Sequence, residues 1–182
     1  MEIPKKFHNS LSESPFEECG ICSRNLRDNN LAYLIEKAFR QFPDDGGKQL
    51  LFEIAVCHDC ARSMRSQLSQ ESRKAVNQFF YHEFMARLEQ LREADDDYLM
   101  NHCLLTGKPL ENMGEYQIYA HCQGNNMADR GAAYILSGDV IERIQDLLSE
   151  ETRDELRKFS DDHLGTPPEI QKILDRSPIF TI

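Results

Sequence analysis

The chain has 182 residues, enough for a sizeable core in one domain or in two small domains packed together. It carries 21 basic and 31 acidic residues, a formal net charge of −10, and both halves are acidic. This balance disfavours DNA or RNA as a partner, because phosphate contacts need a basic surface. The N-terminus lacks the apolar run of a signal peptide, and no stretch approaches the roughly 18 apolar residues of a membrane span. We therefore expect a cytoplasmic protein without a membrane anchor.

Four of the six cysteines form two C-x2-C pairs, Cys19 with Cys22 and Cys57 with Cys60, with 34 residues between the pairs. Each pair lets two thiolates bind one ion from a tight backbone loop, so the pattern predicts a single four-cysteine zinc site. The alternatives are thiol redox chemistry and an iron–sulfur cluster. Four protein ligands leave no open position on zinc, so the predicted Zn²⁺ is structural and does not activate water.

The segment between the two pairs predicts a β-hairpin. Residues 31–42 fit both helix and strand spacing, but a strong turn signal at 43–47 and an apolar run over 50–56 favour strands. We predict strands over 32–40 and 50–56. Gly20 is interpreted as the residue that relieves strain where the first loop turns its amides toward sulfur. Residues 1–15 are mixed polar and are predicted to be a loose arm.

A helix is predicted directly after the second cysteine pair, because Ala61, Met64 and Leu68 have helix spacing. The order of cysteine loop, hairpin and C-x2-C entering a helix resembles the treble-clef class of zinc sites over residues 19–68. Four-cysteine zinc ribbons are a related class, in which a second loop replaces that helix. The resemblance implies a fold and one structural zinc ion, but it does not imply an activity.

The middle of the chain predicts one long helix over 71–92 with a continuous apolar stripe. The stripe consists of Val76, Phe79, Phe80, Phe84, Leu88 and Leu91. The acidic run 95–97 opposes the dipole of a helix C-terminus, so we place a linker there. The predicted organisation is a loose arm at 1–15, a zinc unit at 16–68, a connecting helix at 69–94, an acidic linker at 95–98 and an α/β unit at 99–182.

The C-terminal unit is predicted to contain a small β unit followed by helices. Strands are expected over 101–105 and 115–122, helices over 139–148 and 149–160, and a short last helix over 169–174. Ser137 or Asp139 should cap the first of these helices, and Ser149 the second. We find no repeat of fixed period, and the two halves share only a loose order of elements. The fold class is therefore α+β.

Two His-Cys dipeptides, His102-Cys103 and His121-Cys122, lie at the ends of the predicted C-terminal β unit. Two histidines and two cysteines could hold a second metal, or a cysteine beside histidine could be a reactive thiol. Adjacent residues of a strand point to opposite faces, however, so all four side chains cannot converge on one ion without a bulge. We predict free cysteines that pack across the β unit.

Function is less constrained than structure. Arg62, Arg65, Arg73 and Lys74 form a local basic cluster after the zinc site, which is ordinarily a solvated helix face. We prefer a non-enzymatic protein-interaction or scaffold module whose partner is another protein or a second copy of itself. A nucleic-acid-associated regulator that uses the basic cluster is one alternative. A thiol or second-metal enzyme built on the two His-Cys dipeptides is the other.

Overall fold

The central element is a five-stranded antiparallel sheet flanked by helices. A computed structural model of the protein describes residues 1–28, 30–42, 46–128 and 131–164, with side chains up to Phe159. The strands are β1 (Ala32–Gln41), β2 (Lys48–Cys57), β3 (Glu115–Gln123), β4 (Asn126–Met127) and β5 (Ala133–Ser137). The helices are α1 (His58–Gln67), α2 (Gln70–Ala86), α3 (Leu88–Glu93), α4 (Asp96–Asn101), α5 (Gly138–Asp146) and α6 (Glu150–Leu164). The α+β class predicted from the sequence is confirmed.

The hairpin between the cysteine pairs forms as predicted, with β2 running directly into Cys57. In β1, every residue from Tyr33 to Ala38 is buried, so both faces of the strand are covered. Such two-sided burial removes the alternation that normally identifies a strand, which explains why 31–42 read equally well as a helix. Part of the predicted turn, residues 43–45, lies outside the described residues.

The second β unit is not separate from the first. β1 pairs with β3 over nine residue pairs, from Ala32 opposite Gln123 to Arg40 opposite Glu115. β5 and β4 then pair with successive parts of the other edge of β3. The two hairpins therefore share one sheet and one hydrophobic core. The order of hairpin followed by two helices occurs twice, which gives definite elements to the loose common order inferred from the sequence.

The N-terminal segment is not a loose arm. Phe7 is fully buried and Ile3 nearly so, and Lys5–Phe7 form a short 3₁₀ turn. Met127 donates its amide to the Met1 carbonyl at 2.8 Å, and Glu2 forms an isolated bridge with Asn126. The polar composition of 1–15 concealed two apolar residues that anchor the segment in the core.

The predicted long helix over 71–92 is broken at Arg87, which separates α2 from α3. The Arg87 guanidinium donates to the carbonyls of Cys103 and Leu104 and to the Tyr98 hydroxyl. These bonds hold the loop after α4 against the end of α2.

Two further predictions about the middle of the chain are wrong. The acidic run lies within α4, where Asp95 is the N-cap and accepts from the Tyr98 amide at 2.8 Å. Acidic residues at a helix N-terminus favour the dipole, so the run begins a helix instead of forming a linker. Residues 101–105 form no regular strand, since Asn101 ends α4 and only His102 and Cys103 make isolated bridges.

The last two helices match their predictions closely. α5 follows β5 directly and buries Val140, Ile141 and Ile144. Ser137 occupies the N-cap position of α5 without a side-chain cap bond, whereas the Ser149 hydroxyl accepts from the Thr152 amide at 3.3 Å before α6. The helix predicted at 169–174 lies outside the described residues. None of the helices in the described ranges is long and apolar enough to cross a membrane.

Candidate metal centre

The first cysteine pair lies in a tight loop that packs against β2. The Cys19 amide donates to the Arg24 carbonyl and the Ser23 amide donates back to the Cys19 carbonyl, both at 2.9 Å. Ser23 closes the loop with a φ of 54°, a left-handed conformation unusual for a residue other than glycine. The Gly20 amide donates to the Ala55 carbonyl at 2.9 Å, which fixes the loop on the strand that leads to Cys57.

Gly20 is required for close packing. A Cβ at this position would lie 2.8 Å from Cγ1 of Ile54, closer than two carbon atoms can approach without a shift. The strain-relief interpretation made from the sequence therefore misses the main reason for this glycine, which is the contact between the loop and β2.

The second pair lies where β2 becomes α1. Cys57 is the last residue of β2 and the N-cap of α1, and Cys60 lies in the first turn of that helix. The helix predicted after Cys60 thus begins earlier, at His58, and the pair lies at the positive end of its dipole. The cysteine loop, hairpin and helix follow one another in the order inferred from the sequence.

The four sulfur atoms converge. The ligand atoms of Cys19, Cys22, Cys57 and Cys60 all lie within 4.8 Å of one another, and the Cys22 and Cys57 sulfurs are 3.8 Å apart. A tetrahedral Zn²⁺ with bonds of about 2.3 Å requires its sulfur ligands to be about 3.8 Å apart. The donor set and spacing therefore fit zinc. A four-cysteine site that could hold a metal ion is present, and all four cysteines are free of disulfides.

The protonation of these thiols is uneven because their surroundings differ. Burial raises the pKa of the Cys19 thiol, but hydrogen bonds from the amides of Cys57, Cys22 and Ile21 outweigh it and lower that pKa to about 7. Burial raises the pKa of both the Cys57 and the Cys60 thiols. Four adjacent thiolates are not stable without a compensating cation, and a divalent ion supplies that compensation by deprotonating its ligands.

Charged residues beside the ligands connect the two halves of the centre. Arg24, just after the loop, donates to the Asp59 carboxylate in α1 at 2.7 Å. That hydrogen bond, together with the guanidinium charge, lowers the pKa of Asp59. The sequence analysis missed this ion pair, although opposite charges adjacent to the two cysteine pairs were visible in the sequence.

The two His-Cys dipeptides occupy different places. Cys103 is fully buried and accepts from the Ser137 amide at 3.4 Å, whereas Cys122 pairs with Tyr33 across the sheet near the metal centre. The His102 ring stacks on Tyr98 with centroids 4.1 Å apart, whereas the His121 ring is tilted against Tyr134 with centroids 6.1 Å apart. Ser137 pairs with Tyr116, six residues from Cys122 along β3, which corresponds to roughly 20 Å of strand. The four side chains thus do not form one cluster.

The basic cluster spans α1 and the start of α2. Arg62, Arg73 and Lys74 are exposed, and Arg65 donates to the Asn77 side chain at 2.8 Å. Nothing in this arrangement adds a second basic surface or an aromatic stacking platform, so nucleic-acid binding stays a prediction.

Comparisons with known proteins identify no relative. Neither protein-family models, nor curated proteins, nor solved structures gave a match to this chain.

Proposed function

We propose that this chain is a zinc-stabilised, treble-clef-like cytoplasmic protein that acts as a protein-interaction or scaffold module. The observation that carries the proposal is an exposed apolar face on the C-terminal half of α2. Tyr81 is 69% exposed, Met85 45% and Phe84 39%. Large apolar side chains grouped on one surface are typical of a binding site for another macromolecule.

The three exposed side chains are neighbours on one side of α2. Helix spacing places Tyr81, Phe84 and Met85 side by side, just before the helix ends at Ala86. The opposite end of the predicted stripe is anchored, because Val76 is buried in the core. Of the other residues in the stripe inferred from the sequence, Phe79 and Phe80 are half-buried against the core, Leu88 and Leu91 are half-buried, and Phe84 is exposed.

The remaining properties agree with a protein partner. A zinc ion with four cysteine ligands has no open position for substrate, so its contribution would be to hold the loop, hairpin and α1 in one arrangement. A net charge of −10 repels nucleic acid and still permits association through an apolar helix face.

The experiment compares partners of the wild-type chain with those of a Tyr81→Ser/Met85→Ser variant. Affinity purification from the native host, with quantitative mass spectrometry, should recover a stoichiometric protein that the variant loses. Leu11→Ser is the matched control, since Leu11 is 93% exposed on the N-terminal segment. Sedimentation velocity over a range of concentrations tests self-association with the same variants. If neither a partner nor self-association depends on this face, the proposal is wrong.

A further inference from the structure

The loop over residues 102–109 has the same backbone arrangement as the first cysteine loop. In each, the cysteine amide donates to the carbonyl five residues later, and the amide four residues later donates back to the cysteine carbonyl. In the first loop, the Cys19 amide donates to the Arg24 carbonyl and the Ser23 amide donates to the Cys19 carbonyl, both at 2.9 Å. In the second loop, the Cys103 amide donates to the Lys108 carbonyl at 2.9 Å and the Gly107 amide donates to the Cys103 carbonyl at 2.8 Å. The closing residue has a positive φ in both loops, 54° at Ser23 and 71° at Gly107.

Each loop docks on its strand through the same two contacts. The residue after the cysteine donates its amide to a strand carbonyl: Gly20 to Ala55 at 2.9 Å, and Leu104 to Ile135 at 2.8 Å. The residue two positions further along each strand then donates its amide to the cysteine sulfur. These contacts are Cys57 N to Cys19 Sγ and Ser137 N to Cys103 Sγ, both at 3.4 Å. Two loops could share one turn conformation by chance. Their docking on the strands in the same register is a second, independent similarity between the two halves.

The elements that follow repeat as well. Cys57 and Ser137 each end a strand and occupy the N-cap position of a helix. A capping serine, Ser69 or Ser149, then precedes a second helix in both halves. The local sequences agree: Ser69-Gln70-Glu71-Ser72-Arg73 and Ser149-Glu150-Glu151-Thr152-Arg153.

The two capping segments meet in a nearly symmetric contact. The Ser69 amide donates to the Thr152 hydroxyl at 3.0 Å, the Ser149 amide donates to the Ser72 hydroxyl at 2.9 Å, and the hydroxyls of Ser69 and Ser149 are 3.0 Å apart. Such reciprocal bonds are the arrangement expected for equivalent segments related by a two-fold axis.

We infer that the C-terminal half is a second copy of the metal unit, in which Cys103, Thr106, Ser137 and Val140 occupy the four ligand positions. The second loop follows the first by 84 residues and the second strand–helix unit follows the first by 80 residues, so these residues correspond in order to the four zinc-ligand cysteines. The native chain therefore binds one metal ion, in the first half.

The residues of the second site are unsuited to a metal ion. Cys103 and Val140 are fully buried and Ser137 nearly so, whereas Thr106 is exposed. One thiol, two hydroxyls and an isopropyl group cannot replace four thiolates as zinc ligands.

The test is to restore the missing ligands with Thr106→Cys/Ser137→Cys/Val140→Cys. Prepared with Zn²⁺ or Co²⁺, this variant should bind one metal ion per chain more than the wild type, a rise from one to two. The thiolate-to-cobalt charge-transfer absorbance should double. The matched control, Thr106→Ala/Ser137→Ala/Val140→Ala, alters the same positions without adding thiols and should gain no metal.

A second variant guards against a failure to fold. Thr106→Cys/Ser137→Cys retains Val140 in the core and brings three thiols together with Cys103, which should already raise cobalt–thiolate absorbance above that of the wild type. Replacing Cys103 by Ser in the triple variant should lower the added cobalt absorbance. If neither the triple nor the double variant gains metal when prepared with cobalt, folded or not, the correspondence is wrong.

Discussion

The buried ion pair between Lys37 and Glu53 gives a sharp test of how the N-terminal segment is held. The side chains are only 6% and 11% exposed, and Lys37 Nζ lies 2.8 Å from Glu53 Oε2. Lys37 also donates to the His8 carbonyl at 2.7 Å, and Glu53 accepts from the amide of Ser10 at 2.8 Å and from its hydroxyl at 2.5 Å. Lys37→Met leaves a buried carboxylate without its cation, which should lower the free energy of unfolding by about 3–5 kcal/mol.

The pH dependence of the free energy of unfolding shows whether the ionised Glu53 stabilises or destabilises the folded state. Burial alone would raise the pKa of Glu53, but hydrogen bonds from Lys37 and Ser10 and the lysine charge lower it. A carboxyl whose pKa is lowered in the folded state stabilises that state above its unfolded pKa and loses the contribution as pH falls through the folded pKa. In Lys37→Met, acid instead neutralises the unpaired carboxylate, so the difference between variant and wild type should shrink below about pH 4.

Urea unfolding at several pH values measures both effects. Lys37→Met/Glu53→Gln should recover part of the loss, because no unpaired charge remains. Lys158→Met is the control, since its pair with Glu155 is exposed and its removal should leave the unfolding midpoint unchanged. A loss in Lys37→Met no larger than in the control, or one independent of pH, would refute the reasoning.

The remaining predictions concern the cysteines, the helix face and the histidines. Cys22→Ser or Cys60→Ser should lower bound zinc and destabilise the fold, because metal binding contributes folding free energy; full zinc occupancy in both would contradict the four-cysteine assignment. Tyr81→Ala should change stability by less than about 0.5 kcal/mol in urea unfolding, since the side chain is exposed; a loss of several kcal/mol would show that the face is core. Alanine at His102 and His121 should leave zinc near one per chain and the thiol count, after denaturation with a chelator, at six; a fall from two zinc ions to one would establish a second centre.

Local signals predicted the segment from Cys19 to the start of α1 well, because they act over a few residues. Two C-x2-C pairs, a turn and the β-rich run over 50–56 identify the hairpin without knowledge of the rest of the chain. The pairing of β1 with β3 could not be predicted in this way, since the paired residues are about 80 positions apart in sequence. Strand alternation shows which face is apolar but does not show which strand lies alongside.

The wrong predictions after Arg87 have a common cause: polar residues were assigned a role without the segment that each of them contacts. The acidic run at 95–97 was judged against the helix before it, although it caps the helix after it. The repeat was missed because its most recognisable feature, the cysteine spacing, is lost at Thr106, Ser137 and Val140. The agreement between 69–73 and 149–153 was present in the sequence, but polar capping segments are common enough to conceal it.

Cys19, Cys22, Cys57 and Cys60 could together hold a metal ion, and we propose that it is one structural zinc ion. Zinc-edge X-ray absorption on the purified chain, combined with metal analysis of the same sample, tests it most directly. The account predicts one zinc per chain with four sulfur ligands at about 2.3 Å and no nitrogen or oxygen ligand. A first shell containing histidine nitrogen or water, or a chain that folds with full stability and no bound metal, would contradict it.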